Sequence, residues 1–277
     1  MSRAMKPARR WGLFGLLAAI VVVVNLPVIL MILNSLQTTE QLMTARTLLP
    51  THPTLANFYY LSGRTSFWTY LRNSMIVSGG CAALSVVLAA LAGYALSRFR
   101  GGFLSVYARL LFVVQMFPII LALIPLFVLF RNLDLINNPL SVIILYTVFQ
   151  LPFATWMARS FFDTIPRDLE EAAMVDGCSR FRILVRIVLP LSGPGIAATS
   201  IFSFLFSYNE FFVANIFLRD ESAMTLPVGI TMFMQQYSTD WGSLMAAATV
   251  TLIPTFLLFL GVQKYIAYGA VGSGLKG

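Results

Sequence analysis

Histidine is almost missing from this sequence, with His52 alone, and cysteine is nearly so, with Cys81 and Cys178. A Ser-His-acid triad would have to recruit His52, and no paired Cys/His spacing offers a metal site, so no credible catalytic or metal set is encoded. His52 lies in a polar segment among Pro50, Pro53 and Thr54, where a lone imidazole is a solvated residue and not a ligand. Cys81 sits in an apolar run and Cys178 in a polar one, so the two thiols belong at different depths and a disulfide is not expected. The Gly-x-x-x-x-Gly-Lys-Ser/Thr run that cradles nucleotide phosphates is also lacking, so ATP hydrolysis is not this chain's own work. Charged residues make up only 11% of the chain, too few for the surface of a soluble domain.

What fills the space is apolar. At 58% hydrophobic, with a mean hydropathy of +0.81, the 277 residues read as an all-α integral membrane protein. They suffice for about six spans of roughly 20 residues plus loops. The net charge of +8 does not point to nucleic acid, because the basic residues are scattered at the ends of apolar runs, where membrane topology accounts for them. Residues 1–10 form a basic N-terminal segment and 11–277 a single transmembrane domain with spans at about 11–33, 67–97, 104–130, 140–158, 194–218 and 242–266. The first apolar run is too long for the core of a signal peptide and precedes no small-x-small cleavage site, so it is read as a span. With the N-terminus placed in the cytoplasm, fourteen of the 19 Lys and Arg residues fall inside, leaving Arg46, Arg64, Arg72, Arg131 and Arg219 outside. That asymmetry puts both termini and the segment 159–190 in the cytoplasm.

Several span residues are informative. Ala82, Ala83, Ser85, Ala89, Ala90, Ala92 and Gly93 would let neighbouring helices approach the second span closely. Pro118 and Pro125 predict kinks in the third. Glu210, preceded by Asn209, falls within the fifth, where an ionised carboxylate facing lipid would cost roughly 2.5–3.5 kcal/mol at the helix centre, so it should face protein or water. Asn209, Glu210 and Gln115 are candidates for a translocation path. Hydrogen bonding between helices is the competing role, and for Gln115 and Gln150 the favoured one.

The chain is organised around its polar stretch, Arg159 to Pro190. Pro166 to Asp176 reads as a short helix with acids near its positive end and Gly177 at a left-handed cap. A second helix follows, with Phe181, Leu184, Val185 and Val188 on one face and Arg180, Arg182 and Arg186 on others, until Pro190 and Ser192-Gly193-Pro194-Gly195 break it.

Glu171-Ala172-Ala173, then Gly177, then Ile187 and Leu189-Pro190, resembles in its spacing the EAA loop of ABC importer permeases. Leu55-Ala56-Asn57-Phe58, Leu71-Arg72-Asn73-Ser74, Tyr208-Asn209-Glu210-Phe211-Phe212 and a tail with Gln263-Lys264-Tyr265, Gly269 and Lys276-Gly277 extend the resemblance to the carbohydrate branch, to the second permease of maltose-type importers. Tyr268 and Gly272-Ser273-Gly274 depart from that tail pattern.

The resemblance implies a six-span type I permease fold in a bacterial inner membrane. It also implies a coupling helix using Glu171, Ala172, Ala173, Asp176 and Gly177 against an ATPase, with a tail contact at Lys276 and Gly277. It implies as partners a homologous second permease, a homodimeric ATPase that holds ATP and Mg, and an extracytoplasmic solute-binding protein that delivers a carbohydrate. This chain itself would bind no cofactor. Two rival readings stay open here: an importer permease for an amino acid, phosphate ester or polyamine, and a membrane-embedded enzyme.

Overall fold

The computed structural model describes residues 7–44, 49–234 and 239–274, and among them the chain is 81% helix without a strand. The helices are α1 (Pro7–Asn34), α2 (Thr39–Thr44), α3 (Ala56–Arg64), α4 (Phe67–Arg98), α5 (Gly102–Met116), α6 (Ile119–Asn132) and α7 (Pro139–Phe162). They continue with α8 (Asp168–Val175), α9 (Arg180–Ile183), α10 (Leu189–Leu191), α11 (Gly193–Asn209), α12 (Phe212–Phe217), α13 (Leu226–Ile230) and α14 (Trp241–Gly274). Four stretches are long and apolar enough to cross a membrane: Leu13–Asn34, Phe67–Arg98, Pro139–Phe162 and Trp241–Gln263. Two bent pairs bring the number to six when each is taken as one span.

Three expectations need correction. The third span is two helices: α5 and α6 meet at 99°, because Pro118 supplies no amide and holds Phe117 extended at φ −78°, ψ 124°. Pro125, by contrast, stays inside α6. The fifth stretch does not run from 194 to 218; α11 ends at Asn209, Glu210 is extended at ψ 128°, and α12 starts afresh. Pro190 does not end the second helix of the polar stretch. A π-helical turn at Leu184–Val188 joins α9 to α10, and this wider turn carries the proline before an 83° bend into α11. The fourth and sixth expected spans are also overrun, by α7 to Phe162 and by α14 to Gly274. The tail contact expected at Lys276 and Gly277 lies outside the described residues.

The chain divides into two compact units. In the one made of Met1–Thr65 and Ile230–Leu252, Asn57 Nδ2 donates to the carbonyls of Ser35 (2.9 Å) and Gln37 (2.8 Å), and Thr39 Oγ1 donates to Asp240 (2.6 Å). His52 is exposed, as its setting implied.

In the other unit, Ser66–Gly229 with Ile253–Gly277, α4, α7 and α11 form the central packing. Ala82, Ser85, Ala89 and Ala90 are buried on α4. At Gly93 a Cβ would stand 3.0 Å from the Arg159 amide nitrogen and 3.1 Å from Ala158 Cβ, so α4 and α7 approach closely here and a larger residue would press on the α7 backbone. Cys81 and Cys178 are both free.

Candidate functional site

The polar stretch folds as helix, turn, helix. Asp168, Glu170 and Glu171 occupy the first turn of α8, where carboxylates complement the positive helix end. The helix stops at Gly177, whose φ of +79° is the left-handed conformation glycine adopts without strain. There the Gly177 amide donates to the Met174 carbonyl (3.0 Å) and the Cys178 amide to the Ala173 carbonyl (2.9 Å), the paired bonds of a Schellman cap. Ser179 Oγ then accepts from the Arg182 amide (3.4 Å) and opens α9.

The two faces of α8 differ. Outward lie Glu171, Ala172, Asp176 and two exposed apolar side chains, Leu169 (47% exposed) and Val175 (88%), with Phe181 (67%) just beyond the turn. Inward lie Glu170 and Ala173. Ala173 was expected on the docking face with Glu171 and Ala172; instead it joins a buried cluster with Tyr94, Ala158, Phe162, Ile183 and Val188. The reason is helical geometry: residues three apart share a face, and Glu170 and Ala173 turn together toward the end of α4.

Glu170 is the residue sequence reasoning undervalued. Arg98 Nε donates to its Oε1 at 2.5 Å, and the Tyr94 hydroxyl to its Oε2 at 2.8 Å. The side chains of Arg98 and Glu170 are only 4% and 3% exposed. Arg98 Nη2 also donates to the carbonyls of Phe162 (2.9 Å) and Ile165 (3.2 Å), and Nη1 to Ser97 Oγ (2.7 Å). Ser97 in turn donates to Asp163, and Arg167 Nη2 reaches the Ser97 carbonyl at 3.1 Å. Arg180 lies 5.2 Å over the Phe99 ring. The only sequence signal for this network was an acid on the same helical face as a small buried residue.

Among the candidates for a translocation path, Glu210 is a helix cap. Its carboxylate accepts from the amides of Phe212 (2.9 Å), Val213 (3.1 and 3.2 Å) and Ala214 (3.4 Å), and from the Tyr146 hydroxyl (2.7 Å). It thus ties the start of α12 to α7 and meets the expectation that it faces protein. Asn209 is exposed and donates to the Leu205 carbonyl (2.8 Å) within its own helix. Gln115 is exposed on α5 beside the 99° bend, whereas Gln150 is buried in α7. The structure does not bring Gln115 together with Asn209 and Glu210 through any side-chain hydrogen bond among the described residues.

The motif residues near the start of α4 have a structural use too. Asn73 Nδ2 donates to the carbonyls of Ser222 and Met224 (both 2.9 Å), and Ser74 Oγ accepts from the Leu226 amide (2.7 Å). Glu221 accepts from Ser66 Oγ (2.7 Å) and the Tyr70 hydroxyl (3.1 Å), and these bonds, the Ser66 bond foremost, hold its carboxyl below the ordinary glutamate value.

Comparison with known proteins agrees with this architecture. Residues 85–269 match the family described as binding-protein-dependent transport system inner membrane component. The chain is 36% identical over 264 residues to the sulfoquinovosyl glycerol transport system permease protein SmoH of Agrobacterium fabrum, covering 94% of this chain and 93% of that protein. It is 37% identical over 214 residues to the trehalose/maltose transport system permease protein MalG of Thermococcus litoralis, covering 76% of each. Its fold is similar, with a TM-score of 0.78 at 21% identity over 96% of this chain and 99% of the other, to a chain of a bacterial ABC transporter involved in the import of the acidic polysaccharide alginate. With its apolar spans, its capped polar loop and these matches, the chain belongs to the binding-protein-dependent transport system inner membrane components, a family of transport permeases and not of enzymes.

Proposed function

We propose that this chain is one permease subunit of an ATP-driven importer for a carbohydrate, and that the outward face of α8 is where a separate ATPase pushes. The observation that carries the coupling part is the exposed face made by Glu171, Ala172 and Val175 on a helix anchored from behind by a buried ion pair. An apolar, small-residue face ringed by carboxylates suits a groove of a partner protein with a basic or amide rim. Gly177 sets the turn into α9, and Asp176 ends the helix beside it.

The carbohydrate part rests on the relatives, whose names include sulfoquinovosyl glycerol, trehalose/maltose and diacetylchitobiose systems. ATP and Mg belong to the ATPase, a homodimer; a second permease completes the pathway; a solute-binding protein outside the membrane selects the sugar. α1 buries none of its most apolar window within this chain, which leaves surface for lipid and for that second permease. Both termini and α8 lie on the cytoplasmic side, following the distribution of Lys and Arg.

Ala172→Glu is the cleanest probe, because Ala172 is exposed and its replacement leaves the interior alone. It should lower co-purification of the ATPase, or uncouple hydrolysis from uptake, without reducing insertion or pairing with the second permease. Wild-type association and coupled uptake in this variant would remove the coupling assignment. A thermal-shift panel on the cognate binding protein addresses the solute: stabilisation by a sugar is expected, and by an amino acid or polyamine alone would refute the carbohydrate reading.

A further inference from the structure

A push on α8 must get past two turns before it moves a span. The segment between Phe162 and Asp168 leads in and Gly177 leads out, and each can bend more readily than a helix. What opposes bending is the contact of α8 with the end of α4. One guanidinium, Arg98, there holds Glu170, the carbonyls of Phe162 and Ile165, and Ser97, so it fastens the end of α7, the turn and α8 to α4 at a single point. Both Glu170 oxygens are taken by α4 donors, Arg98 and Tyr94. Because both charges are almost wholly buried, sliding the helices apart would strand two desolvated ions, and the contact resists partial opening. Tyr94 also belongs to the buried cluster with Ala89, Ala90, Ala173, Ile183 and Val188.

Resting on the coupling reading, we propose that Arg98 and Glu170 are a positioning pair that makes the coupling loop and α4 move as one body. Displacement of α8 is then delivered to α4 at Arg98 and not absorbed by the turns. The pair touches neither ATP nor solute. Its loss should change how much work each hydrolysis does, not whether the ATPase binds.

The test uses the assembled importer, with its ATPase, second permease and binding protein, reconstituted in vesicles. Glu170→Gln keeps shape and a hydrogen-bond acceptor for Tyr94 but removes the charge that Arg98 needs. It should co-purify the ATPase at the wild-type level while the ATP consumed per solute taken up rises about tenfold, within the usual range of coupling between sites. A wild-type ratio in a normally assembled complex would overturn the proposal. A purely structural role would instead lower the amount of complex and leave the ratio unchanged.

In case Glu170→Gln does not assemble, a second measurement uses the native pair. Spin labels are placed at Leu169→Cys, on α8 beside the Glu171, Ala172 and Val175 face and not in it, and at Leu91→Cys, both exposed positions, with Cys81 and Cys178 replaced by Ser. Their separation should be the same without nucleotide and with ATP trapped. A change of roughly one helical pitch, about 5 Å, would show that α8 swivels against α4 and would sink the pair's role. If Ala172→Glu leaves association and uptake untouched, it is the coupling reading that fails. If Ala172→Glu acts as expected and the Glu170→Gln ratio is normal, only the positioning pair fails.

Discussion

The two ends of α4 hold the chain by different chemistry. At its start, Tyr70, Asn73 and Ser74 reach the 218–226 segment through hydrogen bonds that each include at least one neutral group, and the acceptor Glu221 is exposed. At its end, Tyr94 and Arg98 hold α8 through a carboxylate and a guanidinium that water hardly reaches. Bonds of the first kind are separate contacts; those of Asn73 and Ser74 are neutral and buried, and only the Glu221 acceptor faces water. A buried pair of the second kind has no water to replace it and opens as a unit. One α-helix thus carries a loop held by several separate neutral bonds and a loop held by one buried charged pair.

The largest effect should come from breaking the second kind. Arg98→Met leaves Glu170 buried without its partner and should cost about 3–5 kcal/mol, whereas Arg98→Met combined with Glu170→Gln should recover most of that loss. Thermal unfolding of the purified complex would report it. Asn73→Ala at the other end should cost about 1–3 kcal/mol and speed proteolysis within 218–226. An equal loss in both variants would erase the distinction between the two ends.

Glu210 lies between these cases, since it is a carboxylate held by backbone amides and one tyrosine. Glu210→Leu removes every one of those bonds and should lower stability by about 2–3 kcal/mol and reduce transport, with Glu210→Gln milder because it still accepts. Equal, wild-type transport in both would show that the join between α11 and α12 does not need this side chain.

The smallest effect concerns Glu221. Its folded value lies below the ordinary 4.5, so its contribution is present above that value and is lost as pH falls through the folded value. Protection against hydrogen exchange in the 218–226 segment, relative to the intrinsic rate at each pH, should therefore fall only below about pH 4.5, and Glu221→Gln should abolish that dependence. Loss of protection at neutral pH would contradict the assignment.

Much of the coupling end was legible in the sequence. Acids ahead of a small-residue pair, then Gly177, encode a short helix with its stop, because caps and charge placement are local physics. Which way Ala173 faces was not legible, since that depends on Arg98, a residue 72 positions from Glu170 in the chain. Pro118 announced a disturbance but not its size: a proline forbids continuation, and the 99° bend follows where α5 goes on against α7 and α6 against α12. Glu210 was read as an intramembrane carboxylate inside one helix. Asn209-Glu210 ahead of a six-residue apolar helix is also a pattern for a cap, and the structure uses it so.

The most direct test of the central claim is a photo-crosslinker at Val175, the most exposed apolar side chain of α8, in the assembled importer. A second crosslinker at Glu221, beyond the opposite end of α4, serves as its control. The account predicts that Val175 captures the ATPase, more strongly with nucleotide bound, and that Glu221 never does. Capture of the ATPase from Glu221, or none from Val175 in a complex that imports normally, would contradict it.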